Sequence, residues 1–230
     1  MSSIPNIIEV ASLIGDPSRI AMLVSLLGGK ALPASELAST ARISPQTASS
    51  HLAKLVEGGL LRHESYGRHK YFRLASSEVA NALEALQAIA PQKPVRSLRE
   101  SDQLKALQYA RTCYDHLAGK IGVALTDKLL ELKLIEESGK DFILNEAGKK
   151  RLKQFGVEVE GSIKSRRHFA RQCLDWSERR YHLAGSLGAA LTTRLFELEW
   201  IEKLPDGRAV RVTEAGINGL SEEFGLIKIL

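Results

Sequence analysis

Residues 16–27, DPSRIAMLVSLL, are followed by 33–41, PASELASTA, by 44–61, SPQTASSHLAKLVEGGLL, and by 62–74, RHESYGRHKYFRL. Taken in order, they predict a helix, a short helix, a longer helix and a hairpin. Asp16 and Ser44 carry side-chain oxygens that cap helix N-termini, and Pro17 and Pro45 follow at the first helical position, where a missing N–H costs nothing. Ile20, Leu23, Val24 and Leu27 form one apolar stripe that Gly28-Gly29 ends, while Leu37 and Ala38 face inward from the 33–41 helix. Upstream, Ile4, Ile7, Ile8, Ala11 and Ile14 keep helical spacing up to a stop at Gly15. Gly58-Gly59 ends the longer helix, and Leu60-Leu61 leads into a hairpin anchored by Tyr71 and Leu74, with Gly67 and Arg68 at its tip.

The longer helix has two unlike faces. Ala48, Leu52, Leu55 and Val56 are apolar; Gln46, Thr47, Ser49, Ser50, His51 and Lys54 are short, polar and hydrogen-bonding. A solvated face would favour Glu and Lys, the better helix formers, whereas Ser, Thr, Gln and His suit base edges and phosphates. Basic residues gather on the same stretch: Arg42, Lys54, Arg62, Arg68, Lys70 and Arg73 stand against Glu57 and Glu64, with His51, His63 and His69 among them. Such a concentration supplies the salt-sensitive part of duplex affinity. The four pieces together read as a winged helix-turn-helix. Its candidate DNA-binding residues are Gln46, Thr47, Ser49, Ser50, His51, Lys54, Arg62, Arg68, His69 and Lys70. Ser49, Ser50, His51 and Lys54 are expected in the major groove, and Arg68 with Lys70 on the flanking backbone.

Residues 10–75 resemble the ArsR/SmtB family of winged-helix repressors. The resemblance rests on the DPSRI opening, the SELA helix, the S-x-x-T-x-S-x-H-L-x-x-L helix and the GLLR…G-R-x-x-Y-x-L wing. It implies a homodimer, built through the first and last helices of the unit, that binds a palindromic double-stranded operator as a repressor. Those helices fall at residues 4–14 and about 77–90, the second with Val79, Leu83, Leu86 and Ile89 on one stripe. The chain departs from the family at its metal sites. Leu32, Pro33, Ala34 and Ser35 occupy the place of a Cys-x-Cys-type site, and the 76–90 helix offers Glu78 and Glu84 but no histidine. Whatever effector the protein senses is expected elsewhere.

Beyond the 91–94 segment PQKP, a linker, a repeat appears. Residues 109–136, YARTCYDHLAGKIGVALTDKLLELKLIE, return at 169–202 as FARQCLDWSERRYHLAGSLGAALTTRLFELEWIE, with six extra residues between Asp175 and His182. Each copy runs on into a short alternating stretch (142–144, 210–212) and then NEAG from Asn145 or TEAG from Thr213. The expected fold class is mainly α (α+β). A winged helix-turn-helix domain over 1–94 precedes an effector domain over 95–230, made of two repeats at about 104–160 and 164–230, each helix, helix, hairpin, helix. The paired glycines of HLAGxxG fit close packing of the other repeat's helix better than a backbone-lined pocket.

Both cysteines, Cys113 and Cys173, stand two residues before an acid in the shared A-R-x-C-x-D, and His116 and His182 occupy another matched slot. Three residues apart on a helix, Cys113 and His116 would share a face, and the two copies together could hold a transition metal such as zinc in a tetrahedral site. The same residues also fit redox groups, or buried thiols with bracing histidines. The Arg166, Arg167, Arg171, Arg179 and Arg180 stretch that opens at Lys164 fits a solvated face with internal ion pairs; an anionic effector site or added DNA contacts are the alternatives. Trp176 and Tyr181 beside it fit core better than a ligand stack.

The 230 residues carry a net charge of +5, ordinary apolar content and no stretch of membrane-spanning length or secretory character, so a cytoplasmic protein without a membrane partner is expected. Cys113 with His116 and Asp115 contains the residue types of a thiol nucleophile and base. Neighbours in sequence seldom give such chemistry its angle and pocket, and no Walker loop, strand-borne G-x-G-x-x-G or H-E-x-x-H occurs. The chain therefore reads as a DNA-binding regulator and not an enzyme. A protein-interaction adaptor fits poorly with the basic helix and wing.

Overall fold

A computed structural model of the chain describes residues 6–67, 69–91, 94, 97–163, 168–205 and 207–226. Ile4, Arg68, Gln92, Lys93, Lys164, Arg166 and Arg167, all used in the reading above, lie outside the described residues. The chain divides into two compact units, Met1–Leu83 and Glu84–Leu230.

In the first unit α1 (Ile7–Ile14) is capped by Asn6 and α2 (Pro17–Ser25) by Asp16, whose Oδ1 accepts from the Ser18 and Arg19 N–H groups at 2.9 Å. A 3-10 turn (Leu26–Gly28) closes on left-handed Gly29. Strand β1 (Leu32–Pro33) then opens α3 (Ala34–Ala41); Ser44 caps α4 (Pro45–Glu57), its Oγ accepting from the Thr47 N–H. Strands β2 (Leu61–Tyr66) and β3 (His69–Leu74) form the hairpin, in register from Leu61 opposite Leu74 to Tyr66 opposite His69. Sequence reasoning missed β1. Pro33 belongs to this strand, opposite Tyr71, so the three-stranded sheet runs β1-β3-β2 and ties the α3 entry to the hairpin. Met22, Leu23, Leu27, Leu37, Leu52, Leu55 and Leu74 fill the core. Helix α1 buries nothing: Ile7 and Ile8 are more than three-quarters exposed.

Helix α5 (Ser77–Ile89) carries the division between the units. The second unit continues with α6 (Leu98–Tyr109), β4 (Arg111–Cys113), β5 (His116–Ala118), α7 (Gly119–Glu131), β6 (Ile135–Ser138), β7 (Asp141–Leu144), α8 (Glu146–Gln154) and α9 (Val159–Ile163). It ends with β8 (Arg171–Leu174), β9 (Tyr181–Ala184), α10 (Gly185–Glu197), β10 (Ile201–Lys203), β11 (Val210–Val212) and α11 (Glu214–Phe224). The order hairpin, helix, hairpin, helix thus runs twice. This corrects the expected helix, helix, hairpin, helix: A-R-x-C-x-D and HLA form a hairpin, not a helix. Tyr114 at φ 60° turns the chain between β4 and β5, and Gly119 at φ 77° begins α7, so no helix can pass through.

Each hairpin of one run meets a hairpin of the other. Strands β6-β7-β8-β9 form a single sheet, and Arg111 of β4 bridges to Ala209. The helices cross over as well, with α7 against β9 and α10 against β5. Two reciprocal bonds fix this crossing. The Leu117 N–H donates to Thr192 Oγ1 and the Leu183 N–H to Thr126 Oγ1, both at 2.8 Å, while each threonine hydroxyl donates back to Gly188 or Gly122 of its own helix. A Cβ on Gly122 would sit 2.4 Å from Leu117 O, and one on Gly188 2.4 Å from Leu183 O. The second glycine of each pair therefore serves close strand–helix approach, and the first supplies a left-handed helix start instead of a place on the helix face. Ile121, Leu125 and Leu129 of α7 join Leu187, Leu191 and Leu195 of α10 in one continuous core.

Candidate nucleic-acid interface and a buried cysteine–histidine cluster

On α4, Ala48, Leu52 and Leu55 point into the core, and the 3.6-residue period leaves Gln46, Thr47, Ser49, Ser50 and Lys54 exposed. Ser49 turns its hydroxyl back onto Pro45 O at 2.9 Å. His51 is half-buried, its Nδ1 3.2 Å from Arg19 Nη1. The guanidinium can only donate, so Nδ1 accepts and the ring proton sits on Nε2. Arg19 also donates to Leu13 O and Ser12 O, locking the α1–α2 corner onto the reading helix. Sequence reasoning gave Arg19 no role, although it stands inside the DPSRI motif. Along the hairpin Arg62, His69 and Lys70 are exposed, and Tyr66 near the tip is 77% exposed. Arg73 pairs with Glu64 across the strands at 3.4 Å. Arg68 lies outside the described residues. An open apolar groove of about 770 Å³ runs between α3, α4 and β3, with Pro33, Leu52, Val56 and Phe72 among its lining residues.

In the second unit, the β4–β5 hairpin sets Cys113 opposite His116 and the β8–β9 hairpin sets Cys173 opposite His182. The crossing brings the two pairs together: one ligand atom from each of the four residues lies within 4.8 Å of the others, and all four residues are buried. The sulfurs are 3.9 Å apart and the imidazole rings 5.1 Å, centroid to centroid. Cys113 and His116 do not share a helix face; they are cross-strand partners. Asp115 Oδ1 stands 3.4 Å from His116 Nδ1, and Asp175 Oδ2 stands 3.8 Å from His182 Nδ1. Nε2 of both histidines, and Nδ1 of His182 as well, are buried with no hydrogen-bond partner among the described residues. The hydrogen bond to Cys173, together with burial, pushes the Cys113 thiol well above its usual range, so it is a neutral thiol at pH 7.

Asp175 is fully buried beside this cluster. It accepts from Arg111 Nη2 at 2.8 Å, the Gly119 N–H at 2.7 Å, the Ser177 N–H and hydroxyl, and the Glu178 N–H. Burial opposes its charge, but the Arg111 guanidinium and these donors hold the carboxyl well below the usual range. Arg111 lies over the Trp176 ring at 4.6 Å. This ion pair spans the two runs; the shared A-R-x-C-x-D was its only sequence trace. The repeat is not symmetric here, since Asp115 keeps partial exposure. In the arginine-rich stretch Arg180 pairs with Asp127 at 2.6 Å, an internal pair on an exposed face.

A family model described as a helix-turn-helix domain matches residues 14–64. An uncharacterized HTH-type transcriptional regulator of Bacillus subtilis, YdfF, is 48% identical over 212 residues, which is 92% of this chain and 94% of that protein. Among solved structures, reduced HlyU from Vibrio cholerae is 27% identical over 37% of this chain and 90% of its own, with a TM-score of 0.34. The homodimeric winged helix-turn-helix domain of Mb0332 from Mycobacterium bovis, a possible ArsR-family regulator, is 23% identical over 39% of this chain and 89% of its own, with a TM-score of 0.34.

Proposed function

The chain belongs to the helix-turn-helix transcriptional regulators, and from that premise we propose that it is a sequence-specific, homodimeric repressor of the ArsR type, released from its operator by a signal received in the second unit. The observation that carries the reading is the exposed polar face of α4, flanked by a basic hairpin. Gln46, Thr47, Ser50 and Lys54 stand on a helix whose other face is core, and Arg62, His69 and Lys70 stand beside it. His51, half-turned to Arg19, reads through Nε2. The open stripes of α1 (Ile7, Ile8) and of α5 (Leu86, Ile89) supply the apolar surface a dimer would cover. No single described helix is long and apolar enough to cross a membrane.

The second unit is a duplicated effector module, a reading supported by the recurrence of its element order and of its cysteines and histidines. The signal chemistry suited to Cys113, His116, Cys173 and His182 is a transition metal or oxidation of the two thiols. Other acids and bases near the cluster are bound into structure, and no enzymatic step is assigned.

The test is duplex binding by fluorescence anisotropy on an operator selected from a random library, over a range of salt. Lys70→Ala should weaken all duplexes alike and flatten the log–log salt slope by about 1; Gln46→Ala should relax base preference with the slope unchanged. Unaltered affinity and slope in Lys70→Ala would remove the wing from the interface, and a salt-independent wild type would remove DNA binding itself.

A further inference from the structure

We infer that Cys113, His116, Cys173 and His182 form a closed four-coordinate site for a divalent ion of the zinc class. The inference names the signal class of the regulator proposed above and rests on that reading for its regulatory meaning. Three observations lead to it.

The first is the donor set. Two thiols and two imidazoles, each pair brought opposite by a hairpin, converge so that all four ligand atoms lie within 4.8 Å of one another. Zinc–sulfur bonds of about 2.3 Å at the tetrahedral angle give a sulfur–sulfur edge of about 3.8 Å. The observed 3.9 Å matches that edge and is far from the roughly 2.05 Å of a disulfide.

The second is the unpartnered nitrogen on each ring. Buried polar atoms in folded proteins are almost always hydrogen-bonded, yet His116 Nε2 and both ring nitrogens of His182 have no partner among the described residues. A disulfide between Cys113 and Cys173 would leave them all without one. An ion at the centre accounts for one such nitrogen on each ring at once. Asp115 stands within 3.4 Å of His116 Nδ1, the place of the outer-shell carboxylate that fixes a ligating imidazole and leaves Nε2 for the metal, while Asp175, at 3.8 Å, lies near His182 Nδ1 without bonding to it.

The third is rigidity. The residue after each histidine is held by the other run, Leu117 by Thr192 and Leu183 by Thr126. Asp175 is fixed by Arg111, Gly119 and Ser177. The site is built by the fold and does not wait for side chains to gather.

The charge also balances. Each cysteine that binds as a thiol breaks its S–H bond and releases the proton to solvent as its metal–sulfur bond forms, so that two thiolates and two neutral imidazoles around one divalent ion make a bound site with no net charge. A neutral cluster suits a buried place, and four protein ligands leave no open position for substrate. The ion would clamp one run to the other at the point where their hairpins cross.

The experiment is a cobalt(II) titration of the reduced, chelator-stripped full-length chain, followed in the visible and near-ultraviolet. One equivalent per chain should give the strong ligand-field bands of a tetrahedral site and a thiolate-to-cobalt charge-transfer band, and zinc should bleach both. Cys113→Ser and Cys173→Ser should each lose the charge-transfer intensity. Asp115→Asn, which leaves all four ligands in place, should bind but about 10–100-fold more weakly. Only weak octahedral bands, binding that survives Cys113→Ser/Cys173→Ser, or uptake of copper(I) without cobalt would overturn the site. Operator binding is measured on the same samples. A chain that binds operator but takes no cobalt overturns this inference and leaves the regulator reading standing. A chain that takes cobalt but ignores every duplex overturns the regulator reading and leaves the site.

Discussion

Asp16 shows how much one side chain settles in the first unit. Its carboxylate accepts from two free N–H groups of α2, and through that helix it sets Arg19, which holds His51. The Arg19 backbone N–H, the largest influence, lowers the Asp16 pKa; burial opposes this, and the Arg19 charge assists. A carboxyl lowered by folding contributes stability at every pH above its unfolded value, near 3.9, and loses that contribution as pH falls through its folded value. Asp16→Ala should therefore cost about 1 kcal/mol at neutral pH. In urea unfolding, the gap between variant and wild type should close below the carboxylate range; a gap that stays constant with pH would mean the charge plays no part in the cap. Arg111 makes a different case. Its guanidinium and the Asp175 carboxylate are both fully buried. Removing one partner by Asp175→Ala should destabilise the second unit by about 3–5 kcal/mol, read by chemical denaturation. A loss under about 1 kcal/mol would show that water reaches the orphaned arginine.

Among the elements, legibility followed the length of the signal. Helices α2 and α4 announced themselves by capping residues, N-terminal prolines and an apolar stripe several turns long, α3 only by Leu37 and Ala38, and the β2–β3 wing by its anchors. Strand β1, two residues long, has no period to read. The same limit concealed β4, β5, β8 and β9. In segments of three or four residues, the Cys113–His116 spacing looks like one helical face, whereas a tight turn delivers the same two residues as cross-strand neighbours. Recurrence of Cys and His at matched positions singled out the four cluster residues. Their route to one another was not legible, because it depends on long-range pairing of hairpins from different runs. The glycines of HLAGxxG were misread for a related reason: Gly119 serves backbone handedness and a close approach to the end of α6, whereas Gly122 serves close approach to β5 alone. Alanine is a better helix former than glycine by about 1 kcal/mol, so propensity alone says Gly122→Ala stabilises. Contact of the new Cβ with Leu117 O at 2.4 Å says the reverse, and overpacking should win with a net loss of about 1–3 kcal/mol. A raised thermal midpoint in Gly122→Ala would mean that β5 and α7 yield easily.

For the whole molecule, the question is how an event at the cluster could reach the DNA. Helix α5 ends in the second unit, where Glu84 is buried and paired with the Arg208 guanidinium, which also donates to Gln87 at 2.8 Å. The backbone of the same Arg208 accepts from the Thr112 N–H at 2.8 Å, and Thr112 adjoins Cys113 on β4. Cluster, β4, Arg208 and α5 therefore form one continuous chain of contacts inside the second unit, and α5 is also the helix whose open stripe is proposed to join two subunits. Contiguity is not coupling, which needs a difference in free energy between two states. Glu84→Gln separates the two ideas, since it keeps the side chain's shape and lies outside both the four ligands and the reading helix, its charge being the smallest of the influences on Cys113. Cobalt affinity and metal-free operator affinity should stay within about threefold of wild type, a difference below about 1 kcal/mol. The change in operator affinity produced by zinc, expected at about 5–150-fold for typical coupling, should collapse towards none. If zinc moved operator affinity equally in both proteins, the signal would leave the cluster by another path, and Arg208 would be only a brace.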